Sequence, residues 1–159
     1  MRILGIDYGD TRTGVAITDA LNITAQGLKT IVSDGNDKII LKEIDVILQE
    51  YEIDTIVIGM PLNMNGTKSE RAEKTEAFIH KLKCKYNKMK IEQIDERLTT
   101  VAAHKTMNIL DVNKNKKRSI VDTISAVYIL EMYMNKQKNS WFIYKIVINI
   151  KLYKFLKGE

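Results

Sequence analysis

Apolar residues recur with two different periods along this chain, and the switches between them mark out its elements. Arg2 to Asp7 (R-I-L-G-I-D) is a short β-rich run that ends in the turn signal Tyr8-Gly9-Asp10. Gly14 to Thr18 (G-V-A-I-T) is a second such run and Gln26 to Val32 a third. So few residues separate them that antiparallel pairing is predicted. Beyond Asp34-Gly35-Asn36-Asp37 the period changes. Ile39, Ile40, Glu43, Ile44, Ile47 and Leu48 recur at helical spacing, which predicts a helix over 37–51.

Asp54 to Gly59 (D-T-I-V-I-G) is almost wholly apolar, the composition of a central strand covered on both faces, and the only proline, Pro61, follows it. Ser69 to Cys84 reads as a helix with Ala72, Thr75, Phe78, Ile79 and Leu82 in one stripe and Glu73, Glu76, Lys81 and Lys83 toward water. Ile91 to Asp95 is a further strand. Thr99 or Thr100 can cap a helix reaching Leu110, because a threonine hydroxyl satisfies a free amide of the first turn. Asn113 to Arg118 (N-K-N-K-K-R) is a polar, basic connector, and Ser119 caps a last helix with Val121, Ile124, Ser125, Tyr128, Ile129 and Met132 along one face. The order β-β-β-α-β-α-β-α-α predicts an α/β protein with a mixed five-stranded sheet, three antiparallel strands and then parallel β/α units, flanked by helices.

The segment from Trp141 to Leu156 follows another rule. Phe142, Tyr144, Ile146, Ile148, Ile150 and Leu152 alternate with their neighbours, which favours an added strand over a helix. Lysines interrupt it, and it falls short of the roughly 20 apolar residues of a membrane span. No stable membrane association is expected. The chain therefore divides into one domain over 1–138 and an atypical basic and apolar extension over 139–159.

Charge adds less than its total suggests. The net charge is +5, but six of the 25 basic residues are lysines beyond residue 135, facing Glu159 alone; the other 19 basic and 19 acidic residues balance. The basic pI thus says little about what the body binds. A single cysteine, Cys84, excludes an internal disulfide and suits a reducing compartment. Met1 to Gly9 reads as a strand rather than a secretory leader, so a cytoplasmic location is expected.

The informative acids are those placed where solubility does not call for them. Asp7 closes an apolar strand, where a carboxylate is costly unless paired or holding a cation; it can equally cap the Tyr8-Gly9 turn. Asp95 and Glu96 end another strand, and since adjacent residues point to opposite faces, only one of the two can readily join Asp7. Asp122 lies in the first turn of the last helix, where amide dipoles favour any carboxylate. Together, two strand ends and one helix start can bring three carboxylates to one sheet edge. Oxygen-only donors select Mg2+ or Mn2+, and no Cys/His cluster points to zinc. Two such ions roughly 3.5–4 Å apart are the arrangement that clamps the attacking and leaving oxygens of a phosphodiester.

Four motifs in order resemble those of the YqgF/RuvX family. They are Gly5-Ile6-Asp7-Tyr8-Gly9 with Arg12-Thr13-Gly14-Val15-Ala16, then Gly59-Met60-Pro61-Leu62-Asn63-Met64-Asn65-Gly66-Thr67. Asp95-Glu96-Arg97-Leu98-Thr99-Thr100 with Ala103 is the third, and Lys117-Arg118-Ser119-Ile120-Val121-Asp122-Thr123-Ile124-Ser125-Ala126 the last. The resemblance spans residues 1 to about 135. It implies a ribonuclease H-like fold and a metal-dependent nuclease in which Asp7, Glu96 and Asp122 are the catalytic, metal-binding carboxylates, with two Mg2+ or Mn2+ ions as the expected cofactors. The last motif usually reads Asp-x-x-Ala-Ala; Ser125 in place of the first alanine is a change expected to leave the carboxylate undisturbed. The resemblance says nothing of residues 139–159.

Arg12 can hold a phosphate bidentately or pair with Asp10. Arg97 can orient Glu96 or meet the nucleic-acid backbone. Asn63 lies in a polar loop suited to backbone contacts or simply to helix entry. Lys116, Lys117 and Arg118 precede the Asp122 helix, where they would deliver phosphates beside the metals or stay solvated. His80 and His104 read as surface or packing residues. The activity implied by the resemblance is hydrolysis in 5′-end processing of pre-16S rRNA, on a ribosome precursor. The alternatives are resolution of branched DNA, which requires a homodimer where RNA cleavage needs only a monomer, and a non-catalytic RNA-binding factor in ribosome biogenesis.

Overall fold

The computed structural model describes residues 1–62, 69–95 and 122–138. Its elements are β1 (Arg2–Asp7), β2 (Arg12–Thr18), β3 (Ala25–Val32), α1 (Asp37–Glu50), β4 (Ile53–Met60), α2 (Glu70–Lys85) and β5 (Lys90–Asp95), followed by α3 over residues 122–138. The strands form one sheet in the order β3-β2-β1-β4-β5. β1 pairs antiparallel with β2 and β2 with β3, while β4 runs parallel to both β1 and β5. The mixed sheet predicted from the sequence is thus present. The helix expected over 99–110, the connector 113–118, the cap Ser119 and the extension 139–159 lie outside the described residues.

Local chemistry starts the helices where the sequence suggests. The Asn36 side chain accepts from the Lys38 amide and the Ser69 hydroxyl from the Ala72 amide, each satisfying a donor that the first helical turn leaves open. Ser69 is therefore the cap of α2 rather than its first turn.

Alternation along the strands sorts side chains onto two faces. Leu4, Ile6, Ile56 and Ile58 pack against Ile40, Ile44 and Ile47 of α1 and Ala72, Phe78 and Leu82 of α2. Ile3, Ala16, Val57 and Ile94 pack against Ala126, Ile129, Leu130 and Tyr133 of α3. Ile56, Val57 and Ile58 are all fully buried, which is why β4 carries no polar alternation. Tyr8 stacks on Phe78 with ring centroids 4.4 Å apart, and its hydroxyl donates to Asp37 at 2.8 Å. Lys81, expected to face water, also reaches Asp37, at 2.7 Å. These contacts bind the end of β1 to α1 and α2.

On the other face α3 lies close because the strands beneath it carry glycine. A β-carbon at Gly5 would stand 2.5 Å from Leu130 Cγ, and one at Gly14 would stand 1.9 Å from the Asp122 carbonyl oxygen. Backbone-level contact of this kind leaves the start of α3 little freedom over the end of β1.

Candidate active site

Asp7 is the last residue of β1 and pairs in register with Gly14. It shares the α3 face of the sheet with Ile3, since the two lie an even number of positions apart. Asp122 begins the described part of α3 on the same Gly14. The two carboxylates, far apart in sequence, meet at one sheet edge.

Their electrostatics are those of buried acids with arginines close by. Burial raises the Asp7 carboxyl to about 6 from an ordinary 3.8; Arg71 opposes the rise, the Asp122 charge adds to it, and a hydrogen bond from the Ser125 hydroxyl lowers it again. Asp122 is also raised, first by burial, with Arg12 and Arg71 acting the other way. Among the described residues, the buried Asp122 Oδ2 has no hydrogen-bond partner. A buried carboxylate oxygen left unpaired is costly, and a bound cation is one way to relieve that cost. The donors are oxygens alone, the set that suits Mg2+ or Mn2+. The residues present therefore fit a divalent cation, although among the described residues no group of three or more His, Cys, Asp or Glu is gathered to hold one.

Of the residues singled out in the sequence, the structure brings Asp7, Asp122 and Arg12 together. Asp10, an alternative partner for Arg12, meets Lys74 at 3.4 Å. Glu96, Arg97, Asn63, Lys116, Lys117 and Arg118 lie outside the described residues. Asp95 is described. It pairs in register with Met60, whose side chain belongs to the α1/α2 face, whereas Ile94 belongs to the α3 face with Asp7. Asp95 is thus on the wrong side of β5 to join Asp7. His80 sits with Cys84 on the exposed side of α2, 3.7 Å from its sulfur.

Two residues at the site went unassigned in the sequence. Arg71 donates through Nη2 to Asp7 Oδ1 and to the Tyr8 carbonyl, both at 3.3 Å. No signal in one dimension marks it, because it is the fold that brings the first turn of α2 to the end of β1. The second is Ser125. The serine that departs from the usual motif touches the Asp7 carboxylate directly, because one helical turn carries it from Asp122 back over the same strand.

A five-stranded sheet in the order β3-β2-β1-β4-β5, with an acid ending its middle strand and another on a helix across one face, is a ribonuclease H-like architecture. The structure of T. thermophilus RuvC in complex with a Holliday junction substrate is similar at a TM-score of 0.54 and 9% identity, covering 87% of this chain and 96% of that one. The fowlpox virus Holliday junction resolvase is similar at 0.50 and 16% identity, over 86% and 99%. At such identities the likeness concerns the fold alone. Sequence relatives are much nearer. Proteins of Ruminiclostridium cellulolyticum and Clostridium tetani, each named "Putative pre-16S rRNA nuclease", are 52% and 50% identical over 86% and 87% of this chain and 95% and 99% of their own lengths. The RuvX family model, described as Holliday junction resolvase, matches residues 1–136. The chain belongs to the RuvX family and is a nuclease, a hydrolase of phosphodiester bonds. Among the described residues no helix is long and apolar enough to cross a membrane.

Proposed function

We propose that this chain is a divalent-metal-dependent nuclease of the cytoplasm that processes the 5′ end of pre-16S rRNA on a ribosome precursor. The observation that carries the metal site is the pairing of Asp7 with Asp122, both raised by burial, with Asp122 Oδ2 left without a hydrogen-bond partner among the described residues. Asp7, Asp122 and Glu96 would hold one or two Mg2+ or Mn2+ ions. Period-two alternation favours Glu96 over Asp95 as the third ligand, since Ile94 shares the face of Asp7. When bound, such ions make water a better nucleophile and stabilise the leaving oxygen. The chain's own residues would supply the rest. The Asp7 and Asp122 carboxylates set the negative charge of the site, Arg71 and Ser125 favour the ionised form of Asp7, and Arg12 stands beside Asp122 to receive phosphate, with Arg97, Asn63, Lys116, Lys117 and Arg118 as further backbone contacts.

RNA is favoured as substrate because the relatives at about half identity, matched over nearly their whole lengths, carry the pre-16S name. The family description supports branched DNA as the second reading. Residues 1–138 form the nuclease domain, and removing 139–159 is expected to leave cleavage intact. The deciding experiment offers purified protein a pre-16S 5′ fragment and a four-way junction side by side, with Mg2+, Mn2+ or chelator, and determines mass by light scattering. Chelator-sensitive cleavage of the RNA by a monomer, abolished in Asp7→Asn, is the expected result. Preferential cutting of the junction by a dimer would establish the DNA reading instead. RNA binding that survives chelator without any cleavage would mark a non-catalytic factor.

A further inference from the structure

We propose that Arg71 is the resident counter-cation of the carboxylate site: it holds Asp7 in the metal-free protein, yields that carboxylate to a divalent ion, and then takes a phosphate of the nucleic acid. This rests on the reading of Asp7 as a metal ligand given above.

The position of Arg71 makes it the positive partner of Asp7, while Arg12 acts on Asp122. It stands in the first turn of α2, whose Ser69 cap and Thr75–Arg71 hydrogen bond (Thr75 Oγ1 to the Arg71 carbonyl, 2.8 Å) fix the backbone there. Its charge opposes the raised pKa of both Asp7 and Asp122. A guanidinium felt by both carboxylates occupies the electrostatic role that a divalent ion would fill, so ion and arginine compete for the same negative charge.

The contacts themselves are of a kind that can exchange. Charge-assisted N–H···O bonds run at about 2.7–2.9 Å, and the bond to Asp7 is 3.3 Å long. The Arg71 side chain is 51% exposed where that of Asp7 is 15% exposed, so the arginine lies on the solvent side of the carboxylate. Its second acceptor, the Tyr8 carbonyl, is neutral and belongs to the turn after β1. Losing Asp7 to an ion would leave Arg71 tethered there, at the mouth of the site. Both bonds use the same nitrogen, and a guanidinium carries five donors in a fork matched to phosphate. Lys74, one turn further along α2, differs in kind: it is shared between Asp10 and Glu70, at 3.4 and 3.2 Å.

The test uses the full chain and three variants, R71Q, R71K and D7N. Mn2+ is titrated calorimetrically without nucleic acid, and the salt dependence of binding to a pre-16S RNA fragment is measured in parallel. R71Q is expected to bind Mn2+ roughly twofold to fivefold more tightly, the factor that an exposed ion pair is worth. The slope of log affinity for RNA against log salt should fall by about one phosphate contact. R71K should keep the wild-type salt slope, because it keeps the charge, while raising KM more than it lowers kcat. Unchanged or weaker Mn2+ binding by R71Q, or an unchanged salt slope, overturns the proposal. Should R71Q fail to fold, a wild-type KM in R71K overturns it equally. D7N separates the two layers: wild-type Mn2+ affinity in D7N would refute the metal-ligand reading itself, whatever Arg71 does.

Discussion

Gly14 lies against the carbonyl of Asp122 so closely that a β-carbon on the glycine would stand 1.9 Å from the oxygen. One is a strand residue in register with Asp7, the other the first described residue of α3. A β-carbon has no rotamer that would take it off a backbone oxygen, so the helix at Asp122 must move. Gly14→Ala is expected to cost about 2–3 kcal/mol, as overpacking of a tight core does. For a domain of this size that lowers Tm by roughly 5–10 °C. Displaced carboxylates should also reduce turnover on the order of a hundredfold. Scanning calorimetry and a cleavage assay check the two together; wild-type values in both would mean the close seat is not required.

Asp7 makes the metal-free protein less stable as pH rises. Its carboxyl titrates near 3.8 when unfolded and at about 6 when folded. The folded state therefore holds the proton more tightly between those values. The favourable contribution is fully present below about 3.8 and is lost as pH climbs through about 6. The shift corresponds to about 3 kcal/mol. In chelator at pH 8, Asp7→Asn should thus be more stable than wild type by up to that amount, and the gap should close near pH 4. Urea unfolding across this pH range gives the answer, and a less stable Asp7→Asn at pH 8 would contradict the burial account.

A hydrogen bond from Ser125 lowers the Asp7 pKa against the larger effect of burial. Ser125→Ala removes that donor and is expected to move the Asp7 pKa further upward. The acid limb of the pH–rate profile should shift the same way, with turnover at high pH within about twofold of wild type, since a general titration effect disappears once the group is ionised. An acid limb that stays in place would show that the serine does not govern Asp7.

Phe78 is fully buried and stacks on Tyr8. Phe78→Ala should cost about 3–5 kcal/mol, the range for an aromatic removed from a core. It should also loosen the turn whose carbonyl anchors Arg71. Denaturant unfolding measures the first effect; a loss below about 1 kcal/mol would mean the site collapses around the gap.

Where hydrophobic period alone decides an element, sequence and structure agree closely. Arg2 to Asp7 coincides with β1, and the apolar run Asp54 to Gly59 falls inside β4 (Ile53–Met60). β2 begins two residues before the expected Gly14, because Arg12 and Thr13 pair with Val32 and Ile31 though neither polar residue announces a strand. The placement of Asp7 was legible for a similar reason: an acid closing an apolar run conflicts with its surroundings, and Asp7 shows that conflict in one dimension. Arg71 does not. An arginine among Glu70, Glu73 and Lys74 looks like any solvated helix face, and only the fold brings the end of β1 within its reach. Ser125 escaped for the opposite reason, since a small polar residue in an apolar helix stripe looks like tolerance rather than contact.

The paired acids come from the first strand and from a helix far along the chain. A chain still emerging from its own ribosome, or one cut short before residue 122, has Asp7 but not Asp122 to set beside it. On the function proposed above, such a partial copy would lack the second acid of the site and would leave the RNA around it intact. Hydrolytic competence would then arrive only when the helix carrying Asp122 docks on Gly14, and completion of the fold would act as a safety catch.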